Sequence, residues 1–184
     1  MEKKIIGFIF LLFFVIAVEV LAAPVAFYIG PGDLLEISVW KDESLSREVI
    51  VPPDGIISFP LIGDINVNNM TVGNLRNQVK KKLSDFIPDA TVTVMLKEIN
   101  SLKAYVIGKV NDPGEFAISL DTTVMQILSK AGGLNPFASE GKIQIFRRVQ
   151  SKTVRIPFNY KQVANGNKLE LDIILQRGDV VVVP

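Results

Sequence analysis

The chain has 184 residues, and its 20 Lys and Arg against 19 Asp and Glu leave a formal net charge of +1. That balance provides no electrostatic case for nucleic acid. The chain has neither His nor Cys, so disulfides, thiol nucleophiles, imidazole bases and the softer metal ligands are excluded.

Met1-Glu2-Lys3-Lys4 opens the chain and an apolar run follows from Ile5 to Val18. A run of about 14 residues fits an export signal and is short for a bilayer span. Cleavage after Ala22, before Ala23, is expected, giving a signal over residues 1–22. The competing reading is an uncleaved inner-membrane anchor extending to Phe27, which Glu19 and Pro24 interrupt. No Cys follows the run to carry a lipid. The expected product is a soluble, unlipidated, exported protein of about 160 residues, long enough to bury a core.

The first region spans about 25–98. Tyr28-Ile29-Gly30-Pro31-Gly32-Asp33 is a turn that launches a strand, with Leu35, Ile37 and Val39 on one face and Glu36, Ser38 and Trp40 on the other. Ser44 to Arg47 reads as a loop and Val49 to Val51 as a short strand. Pro52-Pro53-Asp54-Gly55 combines fixed φ, side-chain capping and permissive φ, which makes a turn. Ile56 to Phe59 resumes the sheet, Pro60 to Gly63 bends it, and Ile65 to Val67 is a further strand. From Thr71 the apolar residues Val72, Leu75, Val79, Leu83 and Phe86 fall on one helical stripe, which Pro88 stops. Lys80, Lys81 and Lys82 suit the C-terminal end of that helix. Thr91 to Leu96 is the next strand.

The second region spans about 102–184. Ala104 to Val110 and Glu115 to Ile118 read as strands around the turn Asn111-Asp112-Pro113-Gly114. A helix over Thr123 to Ala131 has Val124, Ile127, Leu128 and Ala131 inward, a cap from Thr122 or Thr123, and Gly132-Gly133 as its stop. Ile143 to Arg148 and Thr153 to Phe158 form a strand pair around Gln150-Ser151, Asn159 to Leu175 is a less regular connection, and Val180 to Val183 is the last strand. Gln176-Arg177-Gly178-Asp179 before that strand echoes the opening turn. Strands, one helix and strands again in each region predict an α+β fold.

In order and spacing, these residues resemble the polysaccharide export family, the Wza-type outer-membrane auxiliary proteins. The opening motif is Tyr28-x-x-x-Gly32-Asp33-x-Leu35-x-Ile37-x-Val39-Trp40, and the second is Val51-Pro52-Pro53-Asp54-Gly55-x-Ile57-x-x-Pro60-x-Ile62-Gly63. Residues 102–184 are similar to an SLBB module, a β-grasp unit, through Val106-x-Gly108-x-Val110-x-x-Pro113-Gly114, Ala131-Gly132-Gly133 and Gly178-Asp179-Val180-Val181-x-Val183-Pro184. The resemblance implies an N-terminal polysaccharide-export domain, one β-grasp-like SLBB domain, and side-by-side copies ringing a passage for the polymer. It also implies an inner-membrane polysaccharide co-polymerase with tyrosine-kinase activity as partner, and a periplasmic location tied to the outer membrane through partners. Longer relatives continue into a further SLBB module and an amphipathic outer-membrane helix, so a separate outer-membrane protein is expected to complete the route.

For individual residues, strand-entry roles are expected. Asp33 and Asp179 cap their turns, and Gly32 and Gly178 are special-φ positions. The remaining family-motif positions, Trp40, Pro53, Asp54, Gly55, Gly63, Gly108, Pro113, Gly114, Gly132 and Gly133, are read as structural. Gly30-x-Gly32 leads into a strand, where a dinucleotide fingerprint needs a helix. Trp40 is expected to cover a sheet edge or a subunit contact, with sugar stacking as the alternative. Lys80 to Lys82 and Arg147-Arg148 read as solvated faces, with guidance of an acidic polysaccharide as the alternative. Catalytic, cofactor and metal residues are not expected. A periplasmic export component is the leading reading, and a monomeric glycan-binding β-grasp module is the alternative.

Overall fold

The computed structural model describes residues 26–184. The expected signal, with Ala22 and Ala23 at its end, lies outside the described residues. Two hydrophobic cores form, one on each side of a short connection at residues 99–102.

The first core is built on β1 (Leu34–Val39), flanked in antiparallel order by β2 (Asp42–Ile50) and β5 (Val92–Glu98). Alternation buries Leu35, Ile37 and Val39 on one face. A separate hairpin, β3 (Ile56–Phe59) with β4 (Gly63–Asn66), adds the buried Ile57, Phe59 and Ile65. Helix α1 (Val72–Leu83) starts where the Thr71 hydroxyl accepts from the Asn74 N–H at 3.2 Å, and buries Leu75, Val79 and Leu83.

Two expectations change in this half. Ser44 to Arg47 belongs to β2, an edge strand in which only Leu45 is buried, so its polar composition hid its pairing. Phe86 is 57% exposed. The helix ends at Leu83, and Phe86 N–H returns to the Leu83 carbonyl in a turn, so the helical stripe has lost its phase by then.

The second core lies under one five-stranded sheet in the order β7-β6-β10-β8-β9. Its strands are β6 (Lys103–Gly108), β7 (Gly114–Ala117), β8 (Ile143–Val149), β9 (Lys152–Phe158) and β10 (Val180–Val183). The final strand β10 sits in the middle, parallel to β6 and antiparallel to β8. Ala104, Val106, Ile143, Ile145, Val181 and Val183 face helix α2 (Val124–Lys130), which buries Val124, Ile127 and Leu128. Thr123 caps α2 in a reciprocal box with Gln126. The connection expected to be irregular contains a short helix, α3 (Tyr160–Ala164), started by the Asn159 side chain and placing Val163 in the core. Asn159 heads it because its side-chain Oδ1 accepts from the Gln162 N–H at 3.1 Å.

Candidate functional site

The two Gly-Asp turns adopt the same local geometry. In the first, Asp33 N–H donates to the Gly30 carbonyl at 3.1 Å while Asp33 Oδ2 accepts from the Gly30 N–H at 2.8 Å. In the second, Asp179 N–H donates to the Gln176 carbonyl at 3.1 Å while Asp179 Oδ2 accepts from the Gln176 N–H at 2.8 Å. The residue between must turn with φ near +85°, which Gly32 at +89° and Gly178 at +81° adopt without a Cβ penalty. Each carboxylate therefore closes its own turn before the strand begins.

Each also reaches further. Asp33 is fully buried, and its Oδ1 accepts from the backbone N–H groups of Asn100 at 3.0 Å and Ser101 at 2.8 Å. The Ser101 hydroxyl donates to Asp33 Oδ2 at 2.9 Å. Asp33 thus ties the first domain to the connection that leads into the second. The buried Asp179 is held by Arg147, whose Nη2 approaches Oδ2 at 2.7 Å and whose Nε approaches Oδ1 at 3.0 Å. This two-pronged ion pair matches guanidinium geometry to a carboxylate and compensates the buried charge. Arg147 is therefore a structural partner of Asp179, not part of a free basic face.

Arg177 brings the two turns together. Its Nη2 donates to the Tyr28 carbonyl at 2.7 Å, and its guanidinium lies where a Cβ on Gly30 would stand. Burial pushes the guanidinium pKa down, and the charge of Asp33 opposes that. Phe27 packs against both cores. Beside these residues runs a cleft of about 590 Å³ between the domains, bordered by Phe27, Tyr28, Asn69, Ser119, Ile174 and Arg177. It has the size of a small-molecule site and few charges.

The remaining motif residues are spread over other turns. Asp54 caps its turn by accepting from the Ile56 N–H at 3.0 Å, and the Asn68 side chain clasps its carbonyl at 2.8 Å. Pro53, Gly55 and Gly63 lie at the ends of the β3–β4 hairpin. At Gly108 a Cβ would run into the Val183 carbonyl on β10. Pro113 and Gly114 turn into β7, and Gly132-Gly133 follow α2. Trp40 is 73% exposed beyond the end of β1, where its backbone N–H donates to the Thr91 carbonyl at 2.9 Å. Among the described residues no group of three acidic side chains is placed to hold a metal ion, and no helix is long and apolar enough to cross a membrane.

Arg177 and Ser101 were not singled out from sequence, and Gly30 was weighed only as part of a dinucleotide fingerprint that its strand context excludes. Arg177 and Gly30 do lie inside the two echoing segments, and only their meeting in space gives them a shared role.

Residues 22–97 match the family described as polysaccharide biosynthesis/export protein, and residues 103–159 match the SLBB domain. The chain therefore carries a polysaccharide biosynthesis/export domain followed by an SLBB domain. It is similar to the EPS I polysaccharide export outer membrane protein EpsA of Ralstonia nicotianae, 26% identical over 88% of this chain and 48% of that protein. It is also similar to the capsule polysaccharide export outer membrane protein CtrA of Neisseria meningitidis, 26% identical over 82% of this chain and 42% of that protein. The polysialic acid transport protein KpsD of Escherichia coli matches at 26% over 60% of this chain and 20% of that protein. The chain spans about half the length of the EpsA relatives. In this chain, the Gly-Asp echo joins the export domain to the SLBB domain.

Proposed function

We propose that this protein is a periplasmic component of a capsular or exopolysaccharide export machine. In this reading, copies pack side by side into a ring-like conduit that passes the polymer toward the outer membrane. One observation carries it: an export domain followed by an SLBB domain in one chain, whose relatives are named as exporters of extracellular polymers. The proposed partners are further copies of the chain, an inner-membrane co-polymerase with tyrosine-kinase activity, an outer-membrane protein and the polysaccharide itself. Heterologous contacts of this kind close when the rotation between neighbours permits. The protein acts without catalysis, as a shaped passage.

The test is deletion of the gene followed by complementation, with surface polysaccharide quantified, together with the native mass of the purified protein. Loss of surface polymer restored by the wild-type gene, with a closed oligomer in solution, is expected. Unchanged export together with a monomer at high concentration would remove the proposal. The junction cleft favours a second reading, a monomeric glycan-binding module. That reading predicts saturable oligosaccharide binding by a monomer, and export that survives deletion.

A further inference from the structure

We propose that the solvent-facing side of the five-stranded sheet holds a binding site for acidic sugar residues. Arg148 and Arg155 would bind the carboxylate, and Phe146 would lie under the sugar ring. The strand register builds this site. Phe146 on β8 stands opposite Arg155 on β9 and opposite Val180 on β10, and Arg148 stands opposite Thr153. Ile143, Ile145 and Val181 are buried on the inner face. Period-two alternation therefore puts Phe146, Arg148, Thr153, Arg155 and Val180 together on the outer face. A hollow of about 340 Å³ opens there, lined by Phe146, Arg148, Thr153, Arg177, Gly178 and Val180. That volume suits a small polar ligand.

The charges in this hollow and beside it, where Arg155 stands opposite Phe146 outside the lining, are unbalanced. Among the described residues, the ion pairs join Lys97 to Glu36 and Glu48, Lys103 to Glu115, and Arg147 to Asp179. Arg148 and Arg155 take part in none of them, and both are exposed. Asp179, the carboxylate next to Gly178, is already bound by Arg147, and Glu115 serves Lys103 at the far edge, on β7. Like charges on neighbouring strands repel, so an anion between them is stabilised. Arg177 also lines the hollow, with its guanidinium held by the Tyr28 carbonyl. A planar guanidinium pairs with a carboxylate through parallel hydrogen bonds, and an aromatic face accepts the apolar side of a ring. A uronic or similar carboxylate-bearing sugar offers both. A neutral sugar offers only the second.

This inference deepens the export reading by naming the class of polymer, and it rests on that reading for the ligand being a glycan. Calorimetry on the full chain, as recovered from cells, compares a galacturonate hexamer with the same hexamer methyl-esterified. The acid form is expected to bind saturably, and the ester at least about tenfold more weakly, because charge-assisted hydrogen bonds are lost. Arg148→Gln with Arg155→Gln should weaken the acid form by about tenfold, while Lys161→Gln leaves it unchanged. The ester comparison needs no variant, so it stands even where the double substitution disturbs folding. Equal binding of ester and acid, no binding of either, or an unchanged affinity in the double variant overturns the site. The site also falls when the double variant dissociates an oligomer at unchanged affinity, because the face is then a contact between copies. Export that depends on the gene without acid-oligomer binding sinks this site alone, and binding without an export defect sinks the export reading alone.

Discussion

Asp33 and Asp179 perform related tasks with different partners. Asp33 gathers the N–H groups of Gly30, Asn100 and Ser101 and the Ser101 hydroxyl, all by hydrogen bonds to its two oxygens. Asp179 gathers one N–H and a guanidinium. Asp33→Ala leaves several shielded donors without an acceptor, and unsatisfied buried groups are expensive, so a loss of about 3 kcal/mol in stability is expected. Asp33→Asn should lose nearly as much, since an amide offers one acceptor oxygen and turns its N–H groups toward donors. Chemical denaturation of both variants measures this, and a loss below about 0.5 kcal/mol would contradict the account. The turn-closing roles of both acids were readable from Gly-Asp before an alternating strand. Their second partners were not, because Ser101 and Arg147 lie 68 and 32 residues away along the chain.

Among the elements, legibility followed burial. Strand β1 and helix α1 declare themselves because one face of each is buried at its own period. Thr123 caps its helix as expected, and Thr71 does the same without having been read as a cap: each hydroxyl accepts a free N–H of the first turn. The start of β2 was hidden because an edge strand with a single buried residue carries almost no hydrophobic pattern. Phe86 misled because apolar spacing can continue after the backbone has left the helix. Short α3 was hidden by length, at 5 residues. At this scale Thr123→Ala should destabilise the second domain by about 1 kcal/mol, visible as a lower thermal midpoint, because it removes half of a capping box. A midpoint identical to wild type would mean that packing of Val124, Ile127 and Leu128 alone sets the end of α2.

At the scale of the whole molecule the decisive region is the junction, where Arg177 reaches over Gly30 to the Tyr28 carbonyl. Gly30 does not need an unusual backbone angle; it needs space. Gly30→Ala is therefore expected to displace the Arg177 guanidinium and lower the thermal midpoint, with faster proteolysis at residues 99–102. The same loss should appear in Arg177→Ala, and the double variant should be no worse than Arg177→Ala alone, because the two changes remove one shared contact. Additive losses would show that Gly30 acts elsewhere. The motifs, their order and the α+β class were determined by the sequence itself, since local turn chemistry and hydrophobic period are written in neighbouring residues. Only the tertiary structure decided that the two echoing turns meet, that β10 enters the middle of its sheet, and that among the described residues Arg147 is ion-paired while Arg148 and Arg155 are not. Those outcomes depend on contacts between residues far apart in the chain, and neither spacing nor composition encodes which distant partner closes them.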